Sequence, residues 1–266
     1  MRGDVAGIVI VHERTDELDA CLRRVHEDVG SLTVVQNLVD VDVDAPEGAR
    51  TIANPAPLSY AKNVNMAVRA TTEPYVALVN PDCIPDSGTI DRLVDFAASN
   101  DRVGLVAPQL RWPDGRRQPT GRSFPTVGGS VIRRTPLRKL FPPMKWQAAH
   151  YRLDEQATEP WRADWLLGAF WVFRREVFEA CDGLDEQYPM YVEDIDMCVR
   201  VAQHGGECWV DPGAGAMHAY QAVVDERLLS QRNLWHARSM VRFLRRHRSL
   251  VFSNDHPLRV PAEPGR

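Results

Sequence analysis

The feature that most constrains this chain is the run Val5 to Val11, Val-Ala-Gly-Ile-Val-Ile-Val, uncharged and rich in β-branched side chains. Such a run reads as a strand buried on both faces, and that implies a parallel sheet with helices packed on either side. The period then changes. Thr15 or Asp16 can cap a helix that carries Leu18, Cys21, Leu22 and Val25 on one face, and Leu32 to Val35 reads as the next strand. The pattern repeats as a short strand ending near Ala53, a helix around Tyr60 to Ala70, a strand at Tyr75 to Val79, a helix around Thr89 to Ala98 and a strand at Val103 to Ala107. This alternation predicts a doubly wound α/β domain.

From Arg111 to Arg162 the alternation stops, and six prolines from Pro113 to Pro143 break any long regular element. Within this stretch Leu137, Leu140, Phe141, Met144 and Trp146 are interleaved with Arg138, Lys139 and Lys145, a mixture that suits a membrane interface or a bulky acceptor, or a loop packed on the domain. Regularity returns at Trp165 to Phe173. A helix near Glu176 to Ala180, another at about Asp194 to Gln203, a short strand at Cys208 to Val210 and a last helix from about Asp225 to His247 follow. In that last helix Leu234, Ala237, Val241 and Leu244 form a stripe expected to face the core. Residues 1–248 are expected to form one domain, with an N-terminal half at 1–110, the long basic loop at 111–162 and a C-terminal half at 163–248. Residues 249–266 are expected to be a tail, frayed from Ser253 onward.

With 44% hydrophobic and 26% charged residues in a chain of 266, the composition is that of a soluble globular protein. No stretch has the length or apolarity of a membrane span, and the first residues lack the layout of a secretory signal. The five cysteines are scattered without a Cys-x-x-Cys pair and read as reduced thiols in a cytoplasmic protein. Charge is uneven: residues 1–50 hold 11 acids against 5 bases, whereas 111–152 hold 10 bases against Asp114 alone, and Arg227 to Arg248 contains seven Arg and no acid. These basic stretches are either solvated surface or contacts for phosphates on a nucleotide, a lipid carrier or anionic headgroups.

Three pieces can carry chemistry. Asn80-Pro81-Asp82 follows the strand Tyr75 to Val79, where open α/β sheets place their ligands; it is either a plain turn or a carboxylate for a hard divalent cation. Tyr191-Val192-Glu193-Asp194-Ile195-Asp196 packs three carboxylates into four residues at a helix start. Capping accounts for one or two of them. Because neighbours on a helix diverge, one can cap, one can pair with an Arg such as Arg200, and one can face the cleft as a general base. His218 ends a Gly-Ala-Gly-Ala-Met-His segment, where a lone His is either a hydrogen-bonded residue or a metal ligand.

Together these pieces resemble the inverting glycosyltransferases of family 2, in particular the bacterial rhamnosyltransferase-like branch. The resemblance runs from about Val5 to Leu244 and is most specific in Trp165-Leu166-Leu167-Gly168-Ala169-Phe170, Arg174 to Phe178, Gly183-Leu184-Asp185-Glu186, and Tyr191 to Asp196 running into Arg200 and Gly205. It implies a GT-A type fold, a three-layer α/β/α sandwich on a mixed, mostly parallel sheet. It also implies metal-dependent transfer of a sugar, rhamnose or another hexose, from a nucleotide-diphosphate donor to a hydroxyl in bacterial glycan synthesis. By the same resemblance Asp82 and His218 are expected to hold Mn²⁺ or Mg²⁺, Asp194 to be the catalytic base, and Asn54, Asn65, Asn80, Gln36 and Lys62 to line the donor. Trp165, Asp164 and Glu193 are expected at the acceptor, a glycan, lipid-linked molecule or small metabolite, with Asp196, Glu193 and Asp164 as lower-ranked alternatives to the base.

The departures from the branch lie in the nucleotide half. His12-Glu13-Arg14 stands where many relatives have Thr-Tyr-Asn, and Val35-Gln36-Asn37 lacks the usual Asp, although the Gln36 amide can both donate and accept. A catalytically silent nucleotide- or glycan-binding protein is therefore the alternative. Nucleic-acid binding through the Arg stretches is disfavoured by a pI near 6.1, and peripheral contact with the inner face of the plasma membrane is a separate expectation from the long loop.

Overall fold

In a computed structural model of the chain, residues 2–38, 41–124, 157–219, 231–253 and 256–260 are described. The expected buried run is the body of strand β1 (Arg2–Val11), in which every residue from Val5 to Val11 is buried. It pairs in parallel on both sides, with β2 (Val29–Gln36) and β4 (Tyr75–Val79). Helix α1 (Leu18–Asp28) crosses between β1 and β2 and buries Leu18, Cys21, Leu22 and Val25. Neither Thr15 nor Asp16 caps it. The Thr15 hydroxyl instead donates to the Pro81 carbonyl at 3.3 Å, tying the turn after β1 to the turn after β4.

The remaining elements are β3 (Arg50–Ala53), α2 (Tyr60–Arg69), β5 (Cys83–Pro85), α3 (Thr89–Ser99), β6 (Val103–Arg111), β7 (Gly121–Arg122), β8 (Trp161–Ala163), β9 (Trp165–Leu166) and β10 (Phe170–Arg174). After them come α4 (Arg175–Ala180), α5 (Glu193–Gln203), β11 (Glu207–His218), α6 (Gln231–Arg246) and α7 (Arg248–Phe252). The main sheet has the order β3-β2-β1-β4-β10-β6-β11-β5, with β8 added to β11, while β7 and β9 form a separate ribbon. Strand β10 runs antiparallel to both β4 and β6, so the sheet is mixed. Helices α1 and α3 cover one face, and α2, α4, α5, α6 and α7 the other, giving three layers. Strand order reverses between β1 and β4. That reversal opens a crevice at the carboxyl ends of the strands, bordered by His12, Gln36 and Asn80 to Asp82.

β6 and β11 outrun their expected lengths because they keep pairing past a register shift, with Ala216 opposite Leu110 and Met217 opposite Arg111. The Gly-Ala-Gly-Ala-Met-His segment is therefore strand, and it carries His218 to the crevice. All five cysteines are buried free thiols. The apolar residues of the long loop, Leu137 to Trp146, and the start of the last helix near Asp225 lie outside the described residues.

Two expectations are corrected at the carboxyl end. Of the expected stripe, Leu234, Ala237 and Val241 face outward, with Leu234 52% and Val241 45% exposed, while Leu244 packs against the core and Met240, Phe243 and His247 are buried. Polar anchors choose between the two stripes. The Ser239 hydroxyl donates to the Met190 carbonyl at 2.8 Å, and Arg242 and Arg246 both reach Asp185 at 2.6 Å, which turns the helix on its axis. The tail is also pinned up to Val260: Leu250 and Val251 are core residues, and Arg259 donates to the Phe124 and Leu250 carbonyls. Truncating Phe243 to Ala is expected to cost about 3–5 kcal/mol, and Val241→Ala no more than about 0.5 kcal/mol, in urea unfolding; the reverse order would restore the original stripe.

Candidate active site

The start of α5 is built by unusual backbone. Tyr191 and Val192 adopt φ values of 61° and 75°, a left-handed conformation that strongly disfavours a β-branched residue. Burial of the Val192 side chain in the core holds it there, and the strain, of order 1–3 kcal/mol, is the kind that persists at functional sites. No side chain caps the helix, contrary to expectation.

The three acids separate completely. Asp196 turns inward and accepts from Tyr188 Oη at 2.9 Å, Arg200 Nε at 2.7 Å and His247 Nε2 at 2.7 Å. Burial alone would raise its pKa, but His247, Arg200 and Arg246 outweigh burial and hold it below the ordinary carboxylate value. It is a structural ion pair and not an alternative base.

Asp194 points to the crevice side, where its Oδ1 accepts from the Ile195 N–H at 2.8 Å and its Oδ2 from the Gly168 N–H at 3.4 Å. A side chain at Gly168 would bring a Cβ to 3.2 Å from Asp194 Cβ, so the glycine is what admits the carboxylate. Burial raises the Asp194 pKa, opposed by these N–H groups and by the charge of Arg122. Glu193, beside it, is pushed up to about 8 by burial and then by the Asp194 charge, and its Oε2 is buried without a partner. Glu193 is therefore largely a neutral acid near pH 7, while the backbone N–H groups and Arg122 at Asp194 favour its charged form against burial.

Asp82 and His218 meet through the pairing of β5 with β11, which sets His218 opposite Cys83, and through an Ala219 N–H that donates to the Asp82 carbonyl at 3.0 Å. His218 Nε2 lies 3.5 Å from Asp82 Oδ1, while its Nδ1 lies 2.7 Å from Gln118 Oε1. In the tautomer whose Nδ1–H goes to Gln118, Nε2 presents a lone pair beside the Asp82 carboxylate. Two acceptors so placed fit a cation held at ligand distances of about 2.0–2.2 Å. Among the described residues no group of three or more His, Cys, Asp or Glu could hold a metal ion, so this pair could supply two ligands only. Tyr60 joins the two sides of the crevice. Its hydroxyl donates to Asn80 Oδ1 at 3.4 Å, and burial, followed by the charges of Glu193, Asp194 and Asp82, raises its pKa.

The sequence profile of glycosyltransferase-like family 2 matches residues 29–238 of this chain. The chain belongs to that family. It is 33% identical over 146 residues to the N-acetylglucosaminyl-diphospho-decaprenol L-rhamnosyltransferase of Mycobacterium tuberculosis, an alignment covering 54% of the chain and 46% of the relative. It is 36% identical over 91 residues to the rhamnosyltransferase WbbL of Escherichia coli, covering 34% of each. The chain thus spans about half the length of the mycobacterial relative, or less of the others. Among solved structures, GalNAc-T7 with UDP, GalNAc and Mn²⁺ superposes with a TM-score of 0.60 at 14% identity, over 81% of this chain and 44% of that one. The mannosyltransferase PcManGT from Pyrobaculum calidifontis, in complex with GDP-Man and Mn²⁺, gives 0.58 at 15% identity, over 96% and 66%. The fold is of the GT-A type.

Several site residues expected of this family 2 chain are spent on the protein itself. Asp164 is 6% exposed and accepts from the backbone N–H groups of Phe124 at 2.7 Å and Val260 at 2.6 Å, so it anchors the tail and does not await an acceptor. Trp165 is 5% exposed, its indole N–H donates to the Ser123 carbonyl at 2.9 Å, and Arg122 covers its ring at 5.0 Å. Asn65 is buried and clamps Leu184, accepting from its N–H and donating to its carbonyl, each at 2.8 Å. Gly183, at φ 66°, lets Asn65 approach: a Cβ there would lie 2.6 Å from Asn65 Oδ1. Asn54 is likewise buried, donating to Asn37 Oδ1 at 2.8 Å and to Asn63 Oδ1 at 2.6 Å. These four are supports of the crevice and not its lining. Gln36 and Asn80 border it half-buried, and Lys62 is exposed on the first turn of α2.

Tyr60, Gln118, Arg122 and Trp171 were not singled out from the sequence. Arg122 stacks on Trp165 within the field of Asp194, and Trp171 Nε1 is buried without a partner. Only the strand spacing around Trp171 and the helix-start position of Tyr60 could have flagged them.

Proposed function

We propose that this chain is a glycosyltransferase that moves a sugar from a nucleotide-diphosphate donor to an acceptor hydroxyl with inversion at the anomeric carbon. The observation that carries this reading is one crevice, at the reversal of strand order, bordered by a His218–Asp82 pair on one side and a buried carboxylate, Asp194, on the other. Asp194 takes the proton of the acceptor hydroxyl as that oxygen attacks from the face opposite the leaving diphosphate. The Gly168 and Ile195 N–H groups orient it. Glu193, carrying its proton, donates to a sugar oxygen. Asp82 and His218 hold a divalent cation, Mn²⁺ more readily than Mg²⁺ given an imidazole ligand. When bound, that cation supplies neutralising charge to the departing diphosphate. Lys62, exposed on the first turn of α2, is a side-chain cation available to phosphate oxygens.

The relatives named as rhamnosyltransferases favour rhamnose as the sugar. The mycobacterial relative's name also supports a lipid-linked diphosphate acceptor, and with it contact with a membrane surface. No helix among the described residues is long and apolar enough to cross a membrane. Replacing Asp82 or His218 with Ala is expected to weaken Mn²⁺ binding by at least about tenfold, followed by the electron paramagnetic resonance of free Mn²⁺. Native affinity in both variants would remove the metal from the proposal. If native protein is stabilised by nucleotide sugars yet neither hydrolyses nor transfers any of a panel of them with Mn²⁺, the chain is a binding protein that keeps the fold.

A further inference from the structure

Strand β1 ends at the reversal point of the sheet, and the first residue beyond it, His12, is exposed at the mouth of the crevice. Across the crevice lies the Asn80–Asp82 turn, tied to the same loop by Thr15. His12 Nδ1 is 2.7 Å from Asn37 Nδ2.

The orientation of that amide is fixed by backbone groups that have no alternative role. Asn37 Oδ1 receives the Leu58 N–H at 2.8 Å, and a backbone N–H can only donate. Asn37 Nδ2 lies 2.9 Å from the Leu58 carbonyl, which can only accept. Asn54 Nδ2 adds a second donor to Asn37 Oδ1 at 2.8 Å, and Asn37 itself is 1% exposed. One Nδ2 hydrogen therefore goes to Leu58 and the other to His12 Nδ1. His12 Nδ1 must accept. The imidazole is consequently the neutral Nε2–H tautomer. The free edge of the ring offers a donor and no acceptor.

The neighbouring strand offers the opposite polarity. Gln36, paired with Val11 at the end of β2, directs its Nε2 to the Val41 carbonyl at 3.4 Å, which leaves Oε1 as its acceptor. A ring carbonyl beside a ring N–H is the edge shared by uracil, thymine and guanine. Adenine and cytosine carry an amino group where those bases carry the carbonyl.

We propose that His12, locked as a donor by the buried Asn37–Asn54 cluster, selects nucleotides whose base presents a carbonyl and rejects those that present an amino group there. The proposal rests on the donor site assigned above and adds the class of base. Against an amino group the His12 N–H meets another donor, and an unpaired polar group in a site costs more than a missing contact.

The test titrates the full chain calorimetrically, in the presence of Mn²⁺, with UDP, TDP, GDP, ADP and CDP, for the native protein and His12→Ala. In parallel, long-range ¹H–¹⁵N spectra, with the His12 signal assigned by its loss in the variant, report the tautomer without any nucleotide. Expected are an Nε2–H neutral ring at pH 7.5 and tighter binding of UDP, TDP and GDP than of ADP and CDP. In His12→Ala the first three should weaken by roughly three- to tenfold while the other two stay within about twofold. A ring protonated at Nδ1, no preference in the native protein, or equal effects of His12→Ala on all five nucleotides would overturn this inference and leave the donor site standing. If no nucleoside diphosphate binds the native protein, the donor site itself falls and the base selection with it.

Discussion

Asp194→Asn is expected to lower kcat for sugar transfer by about 10²–10⁴-fold while leaving the fold intact. The amide is the same size, so it still fits against Gly168, and its oxygen can still accept a backbone N–H. What it loses is the capacity to take a proton. The pH profile carries the sharper signature. Because burial raises the Asp194 pKa, the ionised form is lost as pH falls at a point above the usual carboxylate range near 3.9, and the rate should fall with it. In Asp194→Asn that acidic limb should vanish from the residual rate. Glu193→Gln is the matched control: Glu193 is already neutral near pH 7, and an amide keeps a donor in its place, so kcat should change by less than about tenfold. Transfer measured by release of nucleoside diphosphate decides between them. An unchanged kcat in Asp194→Asn, or a larger loss in Glu193→Gln, would move the base to the neighbouring residue.

Arg200→Met is expected to destabilise the protein by about 3–5 kcal/mol in urea unfolding at pH 7, because it takes the guanidinium from a carboxylate with no exposure at all and leaves it Tyr188, His247 and the more distant Arg246. The Arg200 guanidinium serves Asp196 through Nε and the Cys181 and Gly183 carbonyls through Nη1, so its loss also frees two buried acceptors. The cluster is pH-sensitive in a defined sense. Asp196 has a folded-state pKa below its unfolded value, so the stability it contributes is present above about pH 4 and is lost as pH falls through the lower, folded value. The gap between native protein and Arg200→Met should therefore narrow in strong acid. A loss below about 1 kcal/mol, or a gap independent of pH down to the acid unfolding of the native protein, would mean that the carboxylate is not ionised in the fold. The same cluster joins α5 to His247, so it also sets where the helix bearing Asp194 sits.

Much of the fold follows from local pattern. The β-branched runs of β1 and β4, the amphipathic face of α1 and the alternation between them were enough to specify a doubly wound sheet, because burial on both faces or one face imprints directly on spacing. The crevice was legible for a related reason: a strand end followed by Asn80-Pro81-Asp82, and an acid-rich helix start, lie where open sheets put ligands whatever the partners are. The sequence by itself thus determined the sheet, the place of the crevice and the residue types around it. Which polar side chains remain available there was decided by tertiary structure. Asp196 is consumed by His247, 51 residues away, Asn65 by Leu184 at a separation of 119, and Asp164 by Val260 at 96. The same long-range anchoring turned α6 so that Phe243 and not Val241 is buried. A period along the chain reports burial, which each residue feels through its own solvation. A hydrogen bond or ion pair needs a particular partner at a particular distance, and only the folded chain brings that partner within reach.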